Sequence, residues 1–328
     1  MENFIPDFNW QRFFLAPWAN GAALSSIWIA LMGFFVTTAC GLVGNYLILR
    51  RMALVGDAIS HSILPGLVVA FLVAQSRSST AMFIGALAAG LLTTIIIEVI
   101  HKKSRVKQDS AIGIAFTTLF AIGVILISLY ASKVDLDQEC VLYGEIAFIP
   151  LEPPVEFAGI NFGPLPVVRM GIITLMTAAF ILIFYKQLLV SSFDPGLASS
   201  LGINASVVHY GLMCWLSVVV VSAFESVGAI LVVAMLIMPG ATASLISQRL
   251  PVIMLLTVVN AALSSILGIH LATWLDCSTA GAMVVMATFL FCLAWIFGPV
   301  DGLIRRWSRA KVEQPIESPM ELGAEVQK

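Results

Sequence analysis

Charge is scarce in this sequence. Only 11% of its 328 residues are Asp, Glu, Lys or Arg, against about 25% in a water-soluble domain. Hydrophobic residues make up 59%, and the mean hydropathy is +0.99. That balance excludes an ordinary soluble globule and points to an integral membrane protein. The net charge of −2 leaves no overall basic field of the kind that holds nucleic acid. Cysteine is sparse too. Cys40, Cys214 and Cys292 fall in apolar runs, where a thiol acts as a small hydrophobe. Cys140 and Cys277 fall in polar connections; their spacing leaves a bridge open, although two free thiols are expected. No G-x-x-x-x-G-K-[ST] phosphate loop and no H-E-x-x-H zinc motif occurs, so any ATP that drives the protein is bound by another chain. The first 21 residues carry Trp10, Phe13, Phe14 and Trp18 but no basic stretch ahead of a short apolar core. They read as an interfacial aromatic segment rather than a cleaved signal peptide.

What is present in quantity is long apolar runs. About 20 helical residues cross the hydrocarbon of a bilayer, and runs of that order lie near 22–48, 60–76, 80–100, 111–131, 167–188, 206–223, 226–247, 251–272 and 279–300. The expected fold is all-α: a polytopic helical membrane protein of about nine crossings, or eight if the polar break at Glu225 and Ser226 does not divide two spans. One transmembrane domain then covers residues 22–307, followed by a polar cytoplasmic tail, 308–328. Arg50, Arg51, Lys102, Lys103, Arg105, Lys107, Lys186, Arg249, Arg305, Arg306, Arg309, Lys311 and Lys328 follow the odd-numbered spans, and these are 13 of the 17 basic residues. The positive-inside rule therefore puts the N-terminus outside and the C-terminus in the cytoplasm. Arg12, Arg77, Lys133 and Arg169 fall on the other side.

Two connections are longer than turns. Outside, residues 132–166 carry Asp135, Asp137, Glu139, Glu145, Glu152 and Glu156 around an apolar centre expected to fold back toward the membrane. An acidic mouth gathers cations, although each acid taken singly reads as solvated. Inside, "SSFDPGLASSLGIN" announces a short helix over about 193–203. Asp194 can accept the free amide bonds of a helix start, Pro195 suits the first helical position and Gly202 suits the end.

The chemistry concentrates in "GDAISHSILPG", Gly56–Gly66. On a helix, Asp57 and His61 project from one face with Ser60 close by. Facing lipid they would be costly, so a cavity or a protein interface should receive them. Pro65 cannot donate to the carbonyl of His61 and its ring pushes that carbonyl aside, so a kink is expected at the histidine and an oxygen is freed. Gly66 then allows close packing or a hinge. The spacing alone leaves two readings open: a ligand pair, or an intrahelical pair that caps the second span near Arg50 and Arg51. As ligands, oxygen and nitrogen donors without sulfur suit Mn²⁺, Fe²⁺ or Zn²⁺ and suit Cu⁺ poorly.

"GLVGNYLILRRMALVGDAISHSILPGLVVAF" resembles the signature of the permease subunits of bacterial ABC importers for zinc, manganese and iron. "SFDPGLASSLGI" is similar to that family's cytoplasmic coupling segment, and "VGAILVVAMLIMPGATASLI" to its later proline-containing span. "GIHLATWLDCSTAGAMVV" is a looser match, and the resemblance extends to about residue 300 in the family's order. It implies a permease pair, of two copies or two related chains, in the bacterial inner membrane. Each permease would sit beside an ATPase subunit that binds ATP, and an extracytoplasmic binding protein would hand over the metal. Asp57 and His61 occupy the positions of the family's proposed metal contacts, and the Ser60 hydroxyl, close by on the helix, is a further candidate ligand. Phe193, Asp194, Pro195, Leu197, Ala198, Leu201 and Gly202 fall in the coupling segment. Gly196 departs from the acidic residue usual after F-D-P, which should loosen that helix slightly, and Cys277 stands where proline is usual. The expected function is alternating access for a divalent metal ion, with no catalytic residues in this chain. A metal chelate such as a siderophore or cobalamin is the alternative cargo, and a proton-coupled secondary transporter using Asp57 and His61 as a relay is the alternative mechanism.

Five other places carry polar groups or breaks. His270 and Asp276, near the outer end of the eighth span, and Glu225 are expected to meet water or headgroups, with an entry point at the first two and a mouth-lining role for Glu225 as the alternatives. Glu98, four residues before Lys102, reads as a structural helix-end pair. His209 reads as a satisfied interfacial histidine. Pro239-Gly240 repeats the earlier Pro-Gly step and frees the carbonyl of Met235; a static kink is expected, with a hinge as the alternative.

Overall fold

The computed structural model describes residues 9–19, 23–75, 79–131, 146–157, 160–300 and 302–305. Within them the apolar runs form helices close to the expected bounds. A short α1 (Trp10–Phe14) precedes α2 (Ala23–Leu49), α3 (Val55–Ser62), α4 (Leu64–Ala74), α5 (Ser79–Lys103), α6 (Gln108–Leu126) and α7 (Leu165–Ile183). The rest are α8 (Tyr185–Phe193), α9 (Pro195–Ser200), α10 (Ala205–Val227), α11 (Ala229–Ile246), α12 (Leu250–Leu275) and α13 (Thr279–Phe297). Among the described residues, eight spans are long and apolar enough to cross a membrane, α3 and α4 counting as one, and α11 adds a shorter apolar helix over Leu231–Ile246. Val73, Leu175 and Leu182 stand fully outward, an apolar exterior suited to lipid.

The axis of the bundle is α2, whose Met32, Val36, Val43, Tyr46 and Leu47 are buried against α7, α11 and α12. Small residues bring these helices together. A Cβ at Gly44 would strike the Leu236 carbonyl of α11, and one at Gly41 would meet Thr257 of α12 at 2.7 Å. Asn45 Nδ2 donates to Thr257 Oγ1 at 3.0 Å within this seam, an amide partnered where water cannot reach it. A second group consists of α3, α4, α5 and α6, with Gly66 of α4 and Gly85 of α5 each lying against the other's carbonyl. The two groups are joined by α10, which packs on α3 and α5 as well as on α2 and α11.

Several details differ from the sequence reading. The break expected at Glu225 and Ser226 falls at Gly228, whose φ of 78° lies where glycine is favoured; Glu225 is in the last turn of α10. The bend expected at His61 falls at Ile63, between α3 and α4. There Pro65 enters the first turn of a new helix, the place where its missing N–H costs least. Gly66 serves close packing. Pro239 lies inside α11 without ending it. The connection between α6 and α7 is not wholly irregular: Pro154–Phe157 (β1) pairs antiparallel with Ile160–Pro164 (β2), and the preceding turn buries Ile146 and Ile149 in the core. Asp135, Asp137, Glu139, Cys140, Glu145, the side chain of Glu225 and the tail from 306 lie outside the described residues.

Candidate functional site

The short helix α3 brings Asp57 and His61 together. Its start is fixed by a stiff turn, in which Met52 N donates to the Leu47 carbonyl at 2.9 Å and Val55 N to the Met52 carbonyl at 3.2 Å. Gly56 lets α3 press on Leu236 of α11, where a side chain would collide. On the opposite face of α3, His61 Nε2 lies 3.4 Å from Asp57 Oδ1. Phe116 and Phe120 of α6 flank the imidazole, with centroids 6.1 and 6.2 Å away. In the single chain these side chains remain 35% exposed for His61 and 41% for Asp57. A polar pair left open at this depth requires a protein or aqueous cover. Ser60 is buried in the packed side of α3 and its hydroxyl donates to the Gly56 carbonyl at 3.0 Å. Among the described residues no group of three or more His, Cys, Asp or Glu side chains converges, so one chain presents two such donors here.

The segment around Asp194 is built as its residues predict. Asp194 Oδ1 accepts from Gly196 N at 2.9 Å and Leu197 N at 3.0 Å, Pro195 begins α9, and Gly202 closes it with φ of 76°. Ala198 is buried, while Phe193, Leu197 and Leu201 are 65%, 49% and 60% exposed. Leu197 and Leu201, four apart, lie on one side of α9, and Phe193 ends α8 across the extended Asp194; all three are uncovered in the single chain.

Beside this segment lies a polar cluster with little local signature. Arg50, just past α2, donates from Nε to Ser192 Oγ at 3.0 Å and from Nη2 to Ser191 Oγ at 2.9 Å. Its Nη1 lies 3.0 Å from His209 Nδ1, and His209 Nε2 lies 3.1 Å from Glu98 Oε2. Since a guanidinium only donates and a carboxylate only accepts, both contacts are met by the imidazole tautomer with its proton on Nε2. Glu98, only 8% exposed, also pairs with Lys102 Nζ at 2.8 Å, the helix-end pair its spacing predicts. Burial pushes the Arg50 guanidinium below its ordinary pKa; an arginine remains charged nonetheless. Glu98–Lys102 was legible as an i, i+4 pair; nothing local signalled that His209 and Arg50 extend it.

At the other end of the bundle, His270 is not the water-facing residue its position suggested. It is buried, Nδ1 lies 2.8 Å from the Phe13 carbonyl, and Phe13, Phe14 and Trp18 surround its ring. The N-terminal aromatic segment that was expected at the interface covers it. Asp276 caps α12 in a left-handed conformation and, with exposed Cys277, lines a separate cavity of about 290 Å³.

A bundle of apolar helices long enough to cross a bilayer, with a half-open carboxylate–imidazole pair, defines a multi-pass membrane protein. The chain belongs to the ABC 3 transport family, whose model matches residues 25–298. It is similar to the manganese transport system membrane protein MntD of Bacillus subtilis, 44% identical over 85% of this chain and 94% of the relative. The zinc transport system membrane protein TroD of Treponema pallidum is 42% identical over 85% of this chain and 75% of the relative. Among solved structures, PsaBC from Streptococcus pneumoniae in complex with Fab superposes with a TM-score of 0.71 at 33% identity, covering 91% of this chain and 98% of that one.

Proposed function

We propose that this chain is the non-enzymatic permease subunit of an ABC importer that moves a divalent transition-metal ion, Mn²⁺, Zn²⁺ or Fe²⁺, into the cytoplasm by alternating access. The observation that carries this reading is the Asp57–His61 pair, 3.4 Å apart on a helix that breaks at Ile63 and half open in the single chain. One carboxylate and one imidazole are too few to replace the hydration of such an ion, and two copies facing each other would double the set. The manganese and zinc named for the relatives support that cargo.

The exposed apolar face of Phe193, Leu197 and Leu201 is the docking surface for an ATPase subunit that binds and hydrolyses ATP. An extracytoplasmic metal-binding protein loads the pathway from the outer face, with the N-terminus outside and the C-terminus in the cytoplasm. Pro65-Gly66 and Pro239-Gly240 are the points about which the path-lining helices adjust. In this frame Asp57 and His61 form a station toward the cytoplasmic end of the second span. Their role is to exchange ligands with a passing ion, which requires modest affinity on both sides of the step. The test is metal accumulation in cells whose only importer carries Asp57→Asn or His61→Ala, at matched levels of membrane complex. Accumulation should fall to background; parental accumulation in both variants would remove the site.

A further inference from the structure

The Arg50 cluster joins the α8–α9 segment to α10, α5 and the turn that leads into α3. Ser191 and Ser192 immediately precede Phe193 and the capped helix α9, and two of the three Arg50 contacts go to their hydroxyls. The third goes to His209 on α10, which carries the contact on to Glu98 of α5. Both α5 and α10 pack against α3. Arg50 also begins the turn that leads into α3: its N donates to the Tyr46 carbonyl, and the Arg51, Met52 and Val55 amides are all bonded in sequence. Between the guanidinium and Asp57 there is a bonded turn and the first turn of a helix, with no slack loop. Beside the cluster, a cavity of about 450 Å³ lined by Met52, Lys102, Pro195 and Ser206 gives the segment room to shift without unpacking the apolar core.

We propose that Arg50 is a positioning residue that ties the α8–α9 segment to α3, so that displacement of the docking face is delivered to Asp57 and His61. A half-buried guanidinium whose Nε, Nη1 and Nη2 contact three side chains holds a fixed direction, which a single flexible pair would not. Hydroxyl acceptors suit the task because they can be exchanged at little cost, whereas the Glu98–His209 side stays anchored in the bundle. This inference rests on the docking role of Phe193, Leu197 and Leu201.

The test uses the complete complex, two permeases with their ATPase, in vesicles with Mn²⁺ as the probe, and reads metal accumulated per ATP hydrolysed. Arg50→Met and the double variant Ser191→Ala/Ser192→Ala should hydrolyse ATP at the parental rate. Each should accumulate at least about tenfold less metal per ATP, the scale of a lost charged hydrogen bond. An unchanged ratio in either assembled variant overturns the proposal, because a merely structural contact lowers transport and hydrolysis together. If Arg50→Met fails to assemble, the serine variant, which keeps the Arg50–His209–Glu98 contacts, decides alone. Leu197→Asp separates the two readings. It should release the ATPase; retention would overturn the docking face, independently of the ratios measured for Arg50 and the serines.

Discussion

Arg50 Nη1 and His209 Nδ1 meet at 3.0 Å across 159 positions of sequence. With Nε2 of the same imidazole on Glu98, the histidine is a two-ended spacer between a guanidinium and a buried carboxylate. His209→Leu removes both ends and leaves Glu98 and Arg50 short of a partner inside the bundle. It should cost about 1–3 kcal/mol of stability, read as a lowered melting temperature of the detergent-purified protein. His209→Gln, which offers an acceptor and a donor, should recover part of it.

The central helix depends on close approach rather than on side-chain mass. Gly44→Ala drives a methyl into the Leu236 backbone and should destabilise by about 1–3 kcal/mol. Gly211→Ala in α10 meets nothing within 4 Å and should be neutral or slightly stabilising, because alanine is the better helix former. Thermal unfolding of the two variants in one detergent separates packing from propensity.

Asp194 caps α9 through two amides. Asp194→Ala should cost that helix about 1 kcal/mol and weaken association of the ATPase subunit, measured by co-purification. Asp194→Asn, which can still accept both bonds, should associate as the parent does.

Much of this architecture is written locally. The spans follow from apolar run length, the ends of α9 from Asp194, Pro195 and Gly202, and the α3–α4 break from Pro65. Each depends on residues within a turn or two. What the sequence did not yield depends on tertiary contact. His270 looked like an interfacial residue until the chain around Phe13 and Trp18 folded over it. Polarity alone marks the span boundary at Glu225 and Ser226, whereas backbone geometry places it at Gly228. Asp57 and His61 share a face by helical periodicity, but the flanking by Phe116 and Phe120, and the side on which the pair stays open, follow from how α3 packs on α6 and α11.

Gly228 adopts φ of 78° between α10 and α11. Gly228→Ala forces a Cβ into that region at a cost of about 1–3 kcal/mol, visible as a lowered denaturation midpoint. The seam at Asn45 makes a complementary point: Thr257→Val strands a buried amide that now bonds at 3.0 Å, at about 1–3 kcal/mol.

The claim at the centre of this account is that a metal ion passes Asp57 and His61. The most direct measurement is ATP-driven Mn²⁺ accumulation by the reconstituted complex carrying Asp57→Asn/His61→Gln, with ATP hydrolysis followed in the same vesicles. Accumulation at the level of protein-free vesicles, with the complex intact and still hydrolysing ATP, is the predicted result. Accumulation at the parental rate would contradict it.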